Sequence, residues 1–177
     1  NEFYSSFKDK QINKDLNSLK KKITLFSNKY KGKLEKLKKQ QLVKTLVEFE
    51  KIEEITLKLR SYAYLEYCTD QLNNDKAKFY QKIEESVLNC EKDIIFYGIE
   101  LNKLTDKKTS VFSKTKYKNW IKNHKKFKKF QKPENIEKIL AEKSLTSSSA
   151  WVRFFDQLMT RLKFRINGKV FSETEVL

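Results

Sequence analysis

Residues 6–30, SFKDKQINKDLNSLKKKITLFSNKY, decide the fold class. Within them Ile12, Leu16, Leu19, Ile23, Phe26 and Tyr30 fall alternately four and three apart. That spacing lays six apolar side chains along one face of a helix. Gly32 follows, and glycine takes the left-handed conformation that closes helices. The same period continues downstream. A second helix is expected over residues 34–72, with Leu42, Leu46, Phe49, Ile52, Ile55, Leu59, Tyr62 and Ala63 on its stripe. Glu48, Glu50, Glu53 and Glu54 alternate with Lys51 and Lys58 on its other side, where pairs four apart support an exposed face. Asn73-Asn74-Asp75 interrupts it, with Asn74 or Asp75 placed to cap a third helix over residues 76–104. Phe79, Ile83, Val87, Cys90, Ile94 and Leu101 form the third stripe, and Gly98 within it marks a close approach or a bend.

Residues 107–133 change character. They hold 11 lysines and no acidic residue. Tyr117, Trp120, Ile121, His124 and Phe127 still share a helical face, which predicts a basic amphipathic helix packed by its aromatics and solvated by its lysines. Lys132-Pro133 ends it, because the residue before proline is pushed out of the α region. A short helix carrying Ile136, Ile139 and Leu140 should follow, then a polar connection over residues 145–149. Ser148 or Ser149 can cap a helix bearing Trp151, Phe154, Phe155, Leu158 and Leu162. After that the period switches. Residues 164–171, with Asn167-Gly168 at the centre, spell a β-hairpin closed by a type I′ turn. Ser172 or Thr174 can cap a new helix over residues 172–177, an unfinished element that suggests a piece of a longer protein. The reading is a mainly α, antiparallel, bundle-like lobe over residues 1–177 with a short C-terminal β-hairpin.

Composition agrees. The 177 residues are 38% hydrophobic and 13% aromatic, enough for a core. Three glycines and one proline are too few for a turn-rich β fold. No apolar run approaches bilayer length, and no signal-peptide pattern opens the chain. Cys68 and Cys90 are expected to be buried free thiols in a reducing cell. The net charge is +16, yet only Arg60, Arg153, Arg161 and Arg165 are arginine. Arginine is the better fork for phosphates, so the lysine excess, joined to abundant Asn, Ile, Phe and Tyr, points first to an AT-rich coding sequence and second to a basic module for nucleic acid or anionic membrane.

His124 is the only histidine. One histidine excludes an HExxH zinc motif within the chain, and Cys68, Cys90 and His124 supply no zinc cluster. Nor is there a P-loop, a G-x-G-x-x-G or a G-x-S-x-G elbow. Adjacent carboxylates such as Glu53-Glu54 and Glu84-Glu85 point in different directions on a helix. Catalytic and metal-ligating residues are therefore not assigned. Tyr62, Tyr64 and Tyr67 form a tyrosine cluster on the second helix, read either as core packing with hydroxyls at the rim or as contacts to a peptide substrate.

The order of these pieces resembles the N-terminal region of oligoendopeptidase F-type enzymes of the M3 zinc-peptidase class. Tyr30-Lys31-Gly32-Lys33-Leu34 is similar to the family's Y-x-G-x-L, and Lys58-Leu59-Arg60-Ser61-Tyr62-Ala63 to its K-L-x-S-Y-A. Glu50, Ile52, Phe96, Glu100-Leu101, Tyr117, Lys132-Pro133 and residues 137–144 fall in the same order. Ala150-Trp151, Phe155-Asp156-Gln157-Leu158, the hairpin and the last helix start complete it. Glu134 stands where the family often has His. The resemblance implies a mostly helical enzyme with a deep channel between two lobes. Its zinc sits in an HExxH helix of a C-terminal catalytic domain absent from this chain, and that motif's Glu acts as general base. The N-terminal region would wall the channel and restrict the enzyme to short peptides in the cytoplasm. Expected partners are thus the catalytic domain and the peptide substrates, with no nucleic acid and no membrane. The fragment alone would need no cofactor and catalyse nothing.

Overall fold

The structure is a computed structural model that describes residues 3–171 and Glu175. The helix start read at residues 172–177 lies, apart from Glu175, outside the described residues. The elements in order are α1 (Lys10–Tyr30), α2 (Lys39–Thr69), α3 (Asn74–Glu91), α4 (Ile95–Lys103), α5 (Asp106–Thr109), α6 (Lys118–Lys126), α7 (Glu134–Thr146) and α8 (Ser148–Arg161). A hairpin of β1 (Phe164–Ile166) and β2 (Lys169–Phe171) follows. The mainly α fold and its C-terminal hairpin are as the sequence reads. Among the described residues no helix is long and apolar enough to cross a membrane.

α1 starts at Lys10 rather than near Ser6 because Asp9 caps it, accepting from the Gln11 amide at 2.8 Å. Its stripe is buried at Ile12, Leu19, Ile23, Phe26 and Tyr30. Ion pairs fix the direction of packing. Lys58 meets Asp15 and Lys29 meets Glu48, so α1 and α2 run antiparallel. Arg60 meets Glu84 and Glu91 while Lys76 meets Glu66, so α2 and α3 do the same. Asn73, one residue ahead of the expected cap, accepts from the Asp75 and Lys76 amides.

Phe26 is the hub of the core. Its ring lies 4.8 Å from Tyr30, 6.3 Å from Phe49, 6.3 Å from Phe96 and 5.1 Å from Tyr97. Thr45 donates its one hydroxyl proton to the Leu42 carbonyl at 2.7 Å, so Tyr97 donates to Thr45 Oγ1 across 2.8 Å. Burial pushes the Tyr97 hydroxyl far above its ordinary range.

The helix expected over residues 76–104 is two helices. The chain turns at residues 92–94, and α4 begins after the turn at Ile95. Phe96, Tyr97, Ile99, Leu101 and Asn102 are all buried, so α4 is covered on more than one side. The bend is not at Gly98. A Cβ there would meet His124 Cε1 at 3.1 Å, so this glycine serves a close approach.

Glu100 clips α4 to the end of α1. Its Oε1 accepts from the Gly32 amide at 2.6 Å and its Oε2 from the Leu34 amide at 3.2 Å. Gly32 has φ +74°, the left-handed value that turns its N–H toward the carboxylate. Tyr30 closes the same corner by donating to Glu48 at 2.9 Å.

Burial raises the half-buried Glu53 carboxyl above its ordinary range, the Glu91 carboxylate adds to the rise, and Arg60 opposes it. A raised folded-state value means that the contribution to stability is complete below the unfolded value and is lost as pH rises through the folded one. Glu53→Gln is therefore expected to raise Tm at about pH 7 and to leave it nearly unchanged at about pH 3. Thermal melts of both proteins at the two pH values read this directly.

The hairpin pairs Phe164 with Phe171, Arg165 with Val170 and Ile166 with Lys169. Asn167 at φ 50° and Gly168 at φ 78° give the type I′ turn that the Asn-Gly pair predicts.

Candidate functional site

The single basic helix expected over residues 107–133 is broken into α5, α6 and tight 3-10 turns. Hydroxyls break it. Ser110 donates back to the Lys107 carbonyl, Ser113 to the Ser110 carbonyl and Thr115 to the Phe112 carbonyl, each within 2.8 Å. Thr115 is extended, and α6 restarts at Lys118. Glu50 anchors the restart. It takes both Lys116 Nζ and the Tyr117 hydroxyl, the latter at 2.8 Å. Those hydrogen bonds hold the Glu50 carboxyl below its ordinary range.

The break opens a groove of 470 Å³ between α4 and α6, lined by Phe49, Tyr97, Trp120, His124, Phe127 and Phe130 among others. His124 stacks on Trp120 with ring centroids 5.1 Å apart and planes 4° from parallel. Its Nε2 lies 3.1 Å from the Gly98 carbonyl. A carbonyl only accepts, so Nε2 is the donor of this hydrogen bond. Ile121 is the buried residue of α6. The other aromatics are not packed away as the sequence suggests, since Trp120 is 40% exposed, Phe127 66% and Phe130 62%. Lys129 Nζ sits 4.8 Å above the Phe130 ring, so lysine and aromatic share this surface. A groove of this kind suits an extended chain with apolar side chains and some negative charge.

The three tyrosines separate. Tyr62 is buried against Tyr4 and Phe79. Tyr67 is fully buried and stacked on Tyr80 at 5.3 Å. Burial raises both hydroxyls. Tyr64 alone presents its ring, at 47% exposure, and the neighbouring Cys68 thiol raises its hydroxyl. Cys68 is exposed rather than buried, because Leu59, Ala63 and Tyr67 hold the inner face of α2 there and turn position 68 outward. Cys90 is half-buried, and both thiols are free.

α7 and α8 contribute no buried residue. Polar contacts hold them to the body. Glu134 meets Lys31 at 2.6 Å and Glu142 meets Lys92 at 2.7 Å. Thr160 is hydrogen-bonded to Gln71 at 2.6 Å. Among the described residues no group of three or more His, Cys, Asp or Glu side chains is placed to hold a metal ion. These residues do not fit a zinc site, and no step of metal-assisted hydrolysis is assigned to them.

Residues 100–164 match the family model described as oligopeptidase F, the N-terminal region of M3 peptidases. This segment carries an oligopeptidase F N-terminal signature. No curated protein and no solved structure matches the chain. The oligopeptidase F match begins at the Glu100 clip, crosses the aromatic groove and ends on β1. Where that family often has His after the proline, Glu134 spends its charge on Lys31 and Lys138. The motif pieces at residues 30–34 and 58–63 lie outside the matched span. The first of them is tied to it through Glu100.

Proposed function

We propose that this chain is the non-catalytic N-terminal lobe of a cytoplasmic zinc-dependent oligoendopeptidase, and that it walls the channel through which short peptides reach the metal. The family match over residues 100–164 carries the reading. Zinc, the HExxH helix and the general base would belong to the C-terminal catalytic domain, the lobe's principal partner. Within the lobe, the aromatic groove beside α6 is the candidate peptide contact, and Tyr64 is the sequence-nominated tyrosine whose ring is open to a substrate. The exposed Phe127 and Phe130 beside lysines also favour a second reading, a basic module that stacks single-stranded nucleic acid.

Peptide turnover distinguishes the two. This chain alone is expected to hydrolyse nothing, and the polypeptide joining it to an HExxH domain to cleave short peptides with zinc. There, Phe127→Ala with Phe130→Ala should raise KM for peptides several-fold while leaving kcat nearly unchanged, the pattern of lost binding without lost chemistry. Both rings are exposed, so the change should cost the fold under about 0.5 kcal/mol. Steep salt-dependent binding of single-stranded nucleic acid, with no change in KM, would move the function to the second reading.

A further inference from the structure

α8 is mounted inside out. Its polar side chains face the body, where Thr160 bonds Gln71 while Arg153, Asp156 and Gln157 are half-buried near Tyr67. Its apolar side chains face away. Trp151, Phe154, Phe155, Leu158 and Leu162 are between 39% and 70% exposed. The polar contacts leave this apolar stripe open along the helix. Beside it Leu65 at the end of α2 and Leu72 in the turn that follows are each about half exposed.

Charge says what this face meets. Lysines and arginines number 39 in 177 residues, and nearly all are lysine. The two longest stretches without lysine are residues 59–75 and 144–162. The first is the end of α2 with the turn into α3. The second is the end of α7 with all of α8. They are far apart in sequence and meet in the fold at the Gln71–Thr160 hydrogen bond. Lysine elsewhere occupies exposed positions on every long helix, yet at these exposed positions it is missing. An apolar surface spared of lysine is a surface kept for contact with protein. Nucleic acid and anionic lipid would choose the opposite. A second copy would bring another +16 charge to the same contact, so self-association is opposed.

We infer that the lysine-free face formed by α8 and the end of α2 is the seat of the peptidase's catalytic domain, an inference that rests on the function proposed above. The occupant presents a partly apolar surface.

The face carries its own reporter. Cys68 is exposed within it, and Cys90 is half-buried on α3, in the wall of a different groove between α1 and α3. Maleimide labelling of each thiol is followed in this chain and in the polypeptide that joins it to the catalytic domain. Cys68 should label at least tenfold more slowly in the joined polypeptide, with Cys90 unchanged. Phe155→Lys in the joined polypeptide should restore Cys68 labelling while the helical circular dichroism of this chain carrying the same change stays as it was. Equal Cys68 labelling in both proteins, in a polypeptide that cleaves peptides with zinc, overturns the docking face and leaves the function standing. Absence of zinc-dependent cleavage overturns the function and the inference with it. Cys68 protection in this chain alone that grows with its own concentration, or with added phosphatidylglycerol vesicles, assigns the face to a second copy or a membrane and also overturns it.

Discussion

Phe26→Ala is expected to cost this chain about 3–5 kcal/mol, the usual loss when a buried phenylalanine leaves a cavity. Phe26 is 3% exposed and its ring touches partners from α1, α2 and α4, so no single neighbour can close the space. For a chain of this length the loss corresponds to a fall in Tm of roughly 10–15 °C. Such a loss is a large part of the roughly 5–15 kcal/mol that stabilises most domains. Calorimetry of the variant beside Phe154→Ala makes the comparison sharp. Phe154 is 56% exposed, and its removal should move Tm little. A similar fall for both would mean that the C-terminal helices, and not the α1–α4 contact, set the stability of this chain.

Glu100→Ala should cost about 1.5–3 kcal/mol, because a carboxylate that accepts from two backbone amides makes charge-assisted hydrogen bonds and its loss leaves the part-buried Leu34 amide short of a partner. The donors are the amides of Gly32 and Leu34. Glu100→Gln keeps the shape and one acceptor, and should recover about half of the loss. Urea unfolding reads both, with the midpoint shifted and the slope unchanged. An alanine variant as stable as the parent would reduce the clip to a surface contact.

The helices of the first half were legible because each buries one stripe against its neighbours. Ile12 to Tyr30, Leu42 to Ala63 and Phe79 to Val87 all follow that rule. The turn at residues 92–94 was not legible. α4 is apolar on several sides, and a pattern that is apolar throughout does not show where the chain changes direction. The break after Ser110 was hidden for another reason. Serine and threonine hydroxyls compete with the helix for backbone carbonyls, and the sequence does not say which will win. Tyr62 and Tyr67 were nominated as possible substrate contacts together with Tyr64, yet their spacing puts them on the buried side of α2. The Glu100 clip left only a faint signal, the recurrence of Glu100-Leu101 among the pieces that resembled a known family. For α7 and α8 the periodicity showed that an apolar stripe exists. It carries no information about what covers the stripe, which is why their outward orientation appeared only in the fold.

The division of buried residues along the chain has a temporal meaning. The buried core runs from Tyr4 to Ile121, and nothing from Glu134 to Arg161 adds to it. A chain emerging from the ribosome folds from its N-terminal end. The core up to Ile121 can therefore settle without waiting for α8, which comes to rest on a platform already rigid.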